Sequence, residues 1–126
     1  MFTHVDHIEL VVRDVKAHAD LFRKMGFELL SFTPHHGGSA ELQLPGPNQP
    51  IFEIHSVGGE ENIGINHIAF GVDDVNEACE ELKAAGVQFD REPHLVRASG
   101  RTIANFRDPD GWRLQLVDPK RAAPSE

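Results

Sequence analysis

His7-Ile8-Glu9-Leu10-Val11-Val12-Arg13-Asp14-Val15 and His67-Ile68-Ala69-Phe70-Gly71-Val72-Asp73-Asp74-Val75 are two copies of one short pattern, sixty residues apart. Each runs from a histidine through an apolar stretch to an aspartate and a valine. The register holds further on, where Gly26-Phe27 answers Gly86-Val87. An internal repeat with an imidazole at the same place in both copies predicts two similar modules that bring their histidines to one shared centre.

Working outward, both copies spell the element order βαβββ. Val5 to Val12 reads as a strand. Asp14 caps a helix whose apolar positions Val15, Ala19 and Phe22 keep helical spacing, and Gly26 suits the residue after its end. Phe27 to Phe32, Ala40 to Leu44 and Ile51 to Val57 follow as strands. His35-His36-Gly37-Gly38 makes the hairpin between the first two, and Pro45 to Pro50 interrupts regular structure. Gly58 to Gly64 connects the modules. In the second copy, Asp74 and Glu77 form a variant of the capping box, Val75, Cys79 and Leu82 make the buried stripe, and Gly86 ends the helix. Val87 to Phe89, Thr102 to Phe106 and Trp112 to Val117 are strands. Asp108-Pro109-Asp110-Gly111 is a tight turn. Arg91 to Gly100 shows no period and reads as a mobile loop.

Strand alternation sorts the side chains into two sets. Ile8, Leu10 and Val12 oppose His7, Glu9 and Val11; Phe52 and Ile54 oppose Ile51, Glu53 and His55. In the second copy Ile68, Phe70 and Val72 oppose His67, Ala69 and Gly71, while Leu114 and Leu116 oppose Arg113, Gln115 and Val117. The all-apolar sets pack against the helices. The other faces carry His7, Glu9, Glu53, His55, His67, Arg113 and Gln115, a dense group of metal-capable side chains. His4, His18 and His94 read as surface residues.

A chain of 126 residues can bury one real core, whereas a module of about sixty would be marginal alone. A single domain over residues 1–118 is therefore expected, with module one at 1–60, module two at 61–118 and a flexible tail at 119–126. The formal charge of −8, without a basic patch, argues against nucleic acid or an anionic membrane as partner. Cys79 is the lone cysteine and reads as a buried free thiol. Without a signal peptide or a membrane-length apolar run, a cytoplasmic location is expected.

Val5-Asp6-His7-Ile8, Ile51-Phe52-Glu53-Ile54, Asn66-His67-Ile68-Ala69-Phe70 and Asp108-Pro109-Asp110-Gly111-Trp112-Arg113-Leu114-Gln115-Leu116 resemble the four signature strands of the vicinal oxygen chelate superfamily. This group includes glyoxalase I, methylmalonyl-CoA epimerase, extradiol dioxygenases and the fosfomycin and bleomycin resistance proteins. The likeness runs from about Thr3 to Asp118 and is nearest to the glyoxalase I and epimerase branch. It implies an α+β fold in which two tandem βαβββ modules form a U-shaped mixed sheet around a metal-binding cavity. It also implies one divalent metal per site (Ni, Co, Zn, Mn or Fe), held by His7, Glu53, His67 and Gln115.

The chain departs from the family pattern in two ways that bear on chemistry. Bacterial-type glyoxalase I commonly uses two His and two Glu, whereas Gln115 stands at the fourth position here. One carboxylate leaves a divalent ion at net +1, which favours an anionic oxygen pair. Glyoxalase I families also place an Arg four residues after the first ligand and an Asn four after the second, both contacting glutathione; Val11 and Val57 stand at those positions.

The resemblance implies a lyase or isomerase that moves a proton beside a metal-bound carbonyl through an enediolate, with Glu53 as leading base and Glu9 as second. His55 and Arg113 are expected in the substrate pocket, and Arg13, Arg97 and Arg101 are further groups for an anionic small molecule. A homodimer is expected, because small members pair modules across chains. Two alternatives stay open: an Fe(II) extradiol-type dioxygenase using His7, His67 and Glu53, and a drug- or metabolite-binding resistance protein without turnover.

Overall fold

The computed structural model describes residues 2–34 and 38–119. The expected hairpin histidines His35 and His36, and the tail from residue 120 onward, lie outside the described residues. The element order is β1 (Phe2–Val12), α1 (Val15–Lys24), β2 (Glu28–Thr33), β3 (Ser39–Gln43), β4 (Ile51–Ser56), β5 (Gly64–Val72), α2 (Val75–Ala84), β6 (Phe89–Val96), β7 (Arg101–Arg107) and β8 (Arg113–Val117). The fold is α+β, βαβββ twice in chain order. Strands are hydrogen-bonded in the order β2-β3-β4-β1-β5-β8-β7-β6.

The repeat is obeyed down to the helix ends. Asp14 Oδ1 accepts from the Ala17 amide and Asp74 Oδ1 from the Glu77 amide, each at 3.0 Å, so one otherwise orphaned N–H is satisfied at each helix start. At the other end Gly26 and Gly86 take the left-handed conformation, with φ of 103° and 97°. The Phe27 amide then donates to Phe22 O and the Val87 amide to Leu82 O, closing the same terminating motif twice. Phe22 and Phe27 also pack with ring centroids 4.9 Å apart and planes tilted by 57°, joining the end of α1 to the residue that follows it.

The described residues form two compact units, one within Val5–Ile68 and the other made of residues 2–4 together with residues 69–119. In the first, Val12, Ala40, Leu42 and Ile54 of the sheet close on Val15 and Ala19 of α1, with Leu10, Phe22 and Phe27 around them. In the second, Val72, Ala104, Phe106 and Leu116 close on Val75 and Ala78 of α2, with Leu82, Val87, Phe89 and Leu114 around them. Leu10, Val12 and Ile54 thus meet α1, and Val72, Leu114 and Leu116 meet α2, as the alternation predicts, while Phe70 packs edge-on against Phe2. Cys79 is buried on α2, as its stripe predicts, and burial pushes its thiol pKa up.

One segment departs from the sequence reading. Phe89–Val96 is a strand, where Arg91 onward read as a loop. Its pairing with β7 shifts register twice, between Phe89 and Arg91 and between Arg91 and His94. Each irregularity turns the alternation over, so no period-2 pattern survives in the sequence. Pro93 is tolerated because β6 ends the strand order and has one neighbour. The first strand also starts earlier than expected, at Phe2.

Candidate active site

Within residues 5–68 the site is built by two adjacent parallel strands and the start of a third. The β1–β4 register pairs Glu9 with Glu53 and Val11 with His55, which places His7, Glu9, Glu53 and His55 side by side. His67 enters from β5. The Nε2 atoms of His7 and His67 face each other at 3.2 Å, and both rings are buried at 7% exposure. Glu53 Oε2 lies 3.8 Å from His7 Nε2, and Glu9 Oε2 lies 3.4 Å from His67 Nδ1.

The other ring nitrogens are tied down. His7 Nδ1 is 2.8 Å from Asp6 Oδ2, and His67 Nδ1 is 2.8 Å from Asn66 Oδ1. A carboxylate or amide oxygen only accepts, so each Nδ1 carries the ring proton and each neutral ring presents a lone pair at Nε2. Two lone pairs facing each other repel unless a cation stands between them. A shared proton is one solution, and a metal ion bound by both rings is the other.

Electrostatics agree with that reading. Burial, the largest single influence on His7, pulls its pKa down. The hydrogen bond to Asp6 and the charges of Glu53, Asp6 and Glu9 outweigh burial and hold the pKa above its usual value. Burial pushes the Glu9 carboxyl up; the charges of Glu53 and Glu61 add to this, while His55 and His7 pull against it.

The donor chemistry fits a divalent metal in part. With metal–nitrogen bonds of about 2.0–2.1 Å, two neighbouring ligands of one ion lie roughly 2.9–3.4 Å apart. The 3.2 Å between the two Nε2 atoms falls in that span, and 3.8 Å to Glu53 lies outside it. Among the described residues no group of three or more His, Cys, Asp or Glu is gathered to hold a metal ion. Two imidazoles are thus in place, and the carboxylate is beside them without being drawn in.

His55 is half-buried, with Nε2 2.9 Å from Glu61 Oε2 and Nδ1 3.9 Å from Glu9 Oε2. Gln115 and Arg113 belong to the other unit. There Gln115 is buried, and its Nε2 donates to Asn105 Oδ1 at 3.2 Å across the β7–β8 register. Arg113 is half-buried opposite Arg107. His4 is exposed, as expected, whereas His18 and His94 are half-buried.

The sequence reading missed Asp6, Asn66 and Glu61. Alternation places Asp6 and Asn66 on the face opposite the histidines, which conceals them. The signal was nonetheless available: both copies carry an oxygen-bearing side chain immediately before the histidine. No local pattern marks Glu61.

The family model described as Glyoxalase/Bleomycin resistance protein/Dioxygenase superfamily matches residues 4–116. A probable lactoylglutathione lyase of Vibrio cholerae is 41% identical over 63 residues, covering 50% of this chain and 46% of that protein. This match thus spans less than half of the relative's length. The lactoylglutathione lyase of Escherichia coli O157:H7 is 31% identical over 125 residues, covering 92% of this chain and 93% of that protein. Among solved structures, Streptomyces coelicolor methylmalonyl-CoA epimerase superposes with a TM-score of 0.75 at 22% identity, over 96% of this chain and 100% of that chain. That likeness speaks to the fold. With the family model and a full-length relative in agreement, the chain belongs to the glyoxalase/bleomycin resistance protein/dioxygenase superfamily.

Proposed function

We propose that this chain is a metal-dependent lyase or isomerase of the glyoxalase type, which moves a proton on the carbon beside a carbonyl. The observation that supports it most is the pair of buried Nε2 atoms facing each other at 3.2 Å, each ring held from behind by an oxygen at its Nδ1. His7 and His67, joined by Glu53, would hold the divalent ion, since imidazole with one carboxylate suits Ni, Co, Zn, Mn or Fe. When bound, such an ion supplies Lewis acidity that stabilises charge developing on the substrate carbonyl oxygen.

The chain's own residues supply the rest. Asp6 and Asn66 keep the two rings in one tautomer and one orientation. Glu53 is the leading proton acceptor, because its side chain is the more open of the register pair, 33% exposed against 21% for Glu9. Glu9 is the second; burial already raises its carboxyl toward the range where proton transfer at neutral pH is efficient.

The substrate is a small molecule that is not held as glutathione is in glyoxalase I. Val11 is fully buried and Val57 is apolar, so neither position offers the polar contact seen in that branch of the family. A homodimer is proposed with this function. Leu29, Leu30 and Phe32 stand exposed on β2, a strand at the end of the order, and this supports it. No helix among the described residues is long and apolar enough to cross a membrane, and a cytoplasmic location is part of the proposal.

The test is solvent exchange. The purified chain loaded with Ni, Co, Zn or Mn is incubated in deuterium oxide with the hemithioacetal of methylglyoxal and glutathione, and separately with methylmalonyl-CoA. Deuterium entering the carbon beside the carbonyl of either, and lost in Glu53→Gln, is the expected result. No exchange with either, together with oxygen uptake on catechols by the Fe(II)-loaded chain, would replace this reading with the oxygenase one.

A further inference from the structure

Resting on the proposed lyase or isomerase site, we propose that Glu61 is its positioning residue: from the loop after β4 it selects the tautomer of His55 and turns the ring's second nitrogen toward Glu9. The loop side of the contact is firmly built. The Glu61 amide donates to Gly58 O at 3.1 Å, closing a turn, and the Gly58 amide donates back to Glu61 Oε1 at 3.1 Å. Oε2 remains for His55 Nε2, at 2.9 Å. With both oxygens committed, the side chain has one direction.

The chemistry of the pair then decides the tautomer. A carboxylate only accepts, so His55 Nε2 carries a proton toward Glu61, and in the neutral form of the ring the lone pair is at Nδ1. That Nδ1 faces Glu9 Oε2 at 3.9 Å, beyond hydrogen-bond reach, and the same Oε2 lies 3.4 Å from His67 Nδ1. The contacts run Glu61, His55, Glu9, His67, entirely within residues 5–68. A partly exposed contact of this kind contributes little to stability. The role of Glu61 is therefore directional: it makes His55 an acceptor, able to take a hydrogen bond from a substrate hydroxyl or amide N–H and unable to give one.

Nitrogen NMR of the imidazole rings, on the metal-free chain without substrate, reads the tautomer directly. Wild type is expected to show His55 protonated at Nε2. In Glu61→Gln the single amide oxygen satisfies the Gly58 N–H while the NH2 donates to Nε2, so the proton moves to Nδ1. Glu61→Ala, without either group, gives a mixture. On the substrate identified by exchange, Glu61→Gln should lower kcat/KM about ten-fold, borne by KM. The loss should match His55→Ala, and the double variant should be no worse than His55→Ala alone, as coupled residues require. An unchanged tautomer in Glu61→Gln, or wild-type His55 protonated at Nδ1, overturns the proposal. So does a further loss when Glu61→Gln is added to His55→Ala. The nitrogen spectrum needs no turnover, so failure of the tether and failure of the proposed reaction are separate results.

Discussion

Asp6 is the residue on which the tautomer argument turns, and Asp6→Asn is the cleanest perturbation. Asn keeps the shape and an acceptor oxygen and removes the charge. Asp6→Ala would also strip the other contacts Asp6 makes. The Asp6 carboxylate meets His7 Nδ1 at 2.8 Å with the side chain 12% exposed, so the bond is charge-assisted and largely out of water. Such a bond contributes about 1.5–3 kcal/mol, against about 0.5–1.5 kcal/mol for the neutral one left in the variant. The difference of roughly 1–1.5 kcal/mol corresponds to about a ten-fold loss in affinity for Zn or Ni. Asp6→Ala, losing the whole bond, should approach about a hundred-fold, the upper end for residues that orient a metal-bound histidine.

The pH dependence carries an opposite sign and makes the test sharp. In the folded chain His7 has a pKa raised above 6.5. The stability it contributes as a cation is complete below 6.5 and is lost as pH rises through the raised value. Below that raised value the proton also competes with the metal for Nε2. Asp6→Asn removes part of what raises the pKa, so the pH at which metal affinity begins to fall should move down while affinity at neutral pH decreases. Calorimetric titration with Zn or Ni in a non-coordinating buffer across that range measures both. Unchanged affinity, or a midpoint that moves up, would refute the account of Nδ1 as donor and Nε2 as ligand.

Three other outcomes are expected. Glu53→Gln should keep much of the metal, since an amide oxygen still coordinates, yet lose turnover by about 10²–10⁴-fold by deuterium wash-in; the opposite ranking would transfer the base to Glu9. Cys79, buried with its thiol pKa raised, should resist thiol-specific reagents in the native chain and react fully in denaturant, so rapid native labelling would contradict its placement on α2. Light scattering at micromolar concentration should give the mass of two chains, and Phe32→Glu on β2 should shift it toward one; a wild-type monomer would remove the dimer from the proposal.

The sequence by itself determined the parts of this protein that depend on near neighbours. Asp14 and Asp74 cap helices, Gly26 and Gly86 end them, and alternation separates His7 and Glu9 from Leu10 and Val12, because each involves residues within about one turn or one pleat. The pairing of His7 with His67 was legible for another reason: a repeated pattern carries long-range information without any contact being known. Tertiary structure alone decided the rest. β6 was illegible because its two register shifts cancel the period that reveals a strand. Glu9 came to stand beside Glu53 through the β1–β4 register, a choice of hydrogen-bond partners between strands separated by a helix and a hairpin. Glu61 reached His55 through a turn closed on Gly58, and Asp6 reached His7 against the alternation that should have parted them. Those contacts depend on the paths of separate strands and on side-chain rotamers, and neither is written in the order of residues along the chain.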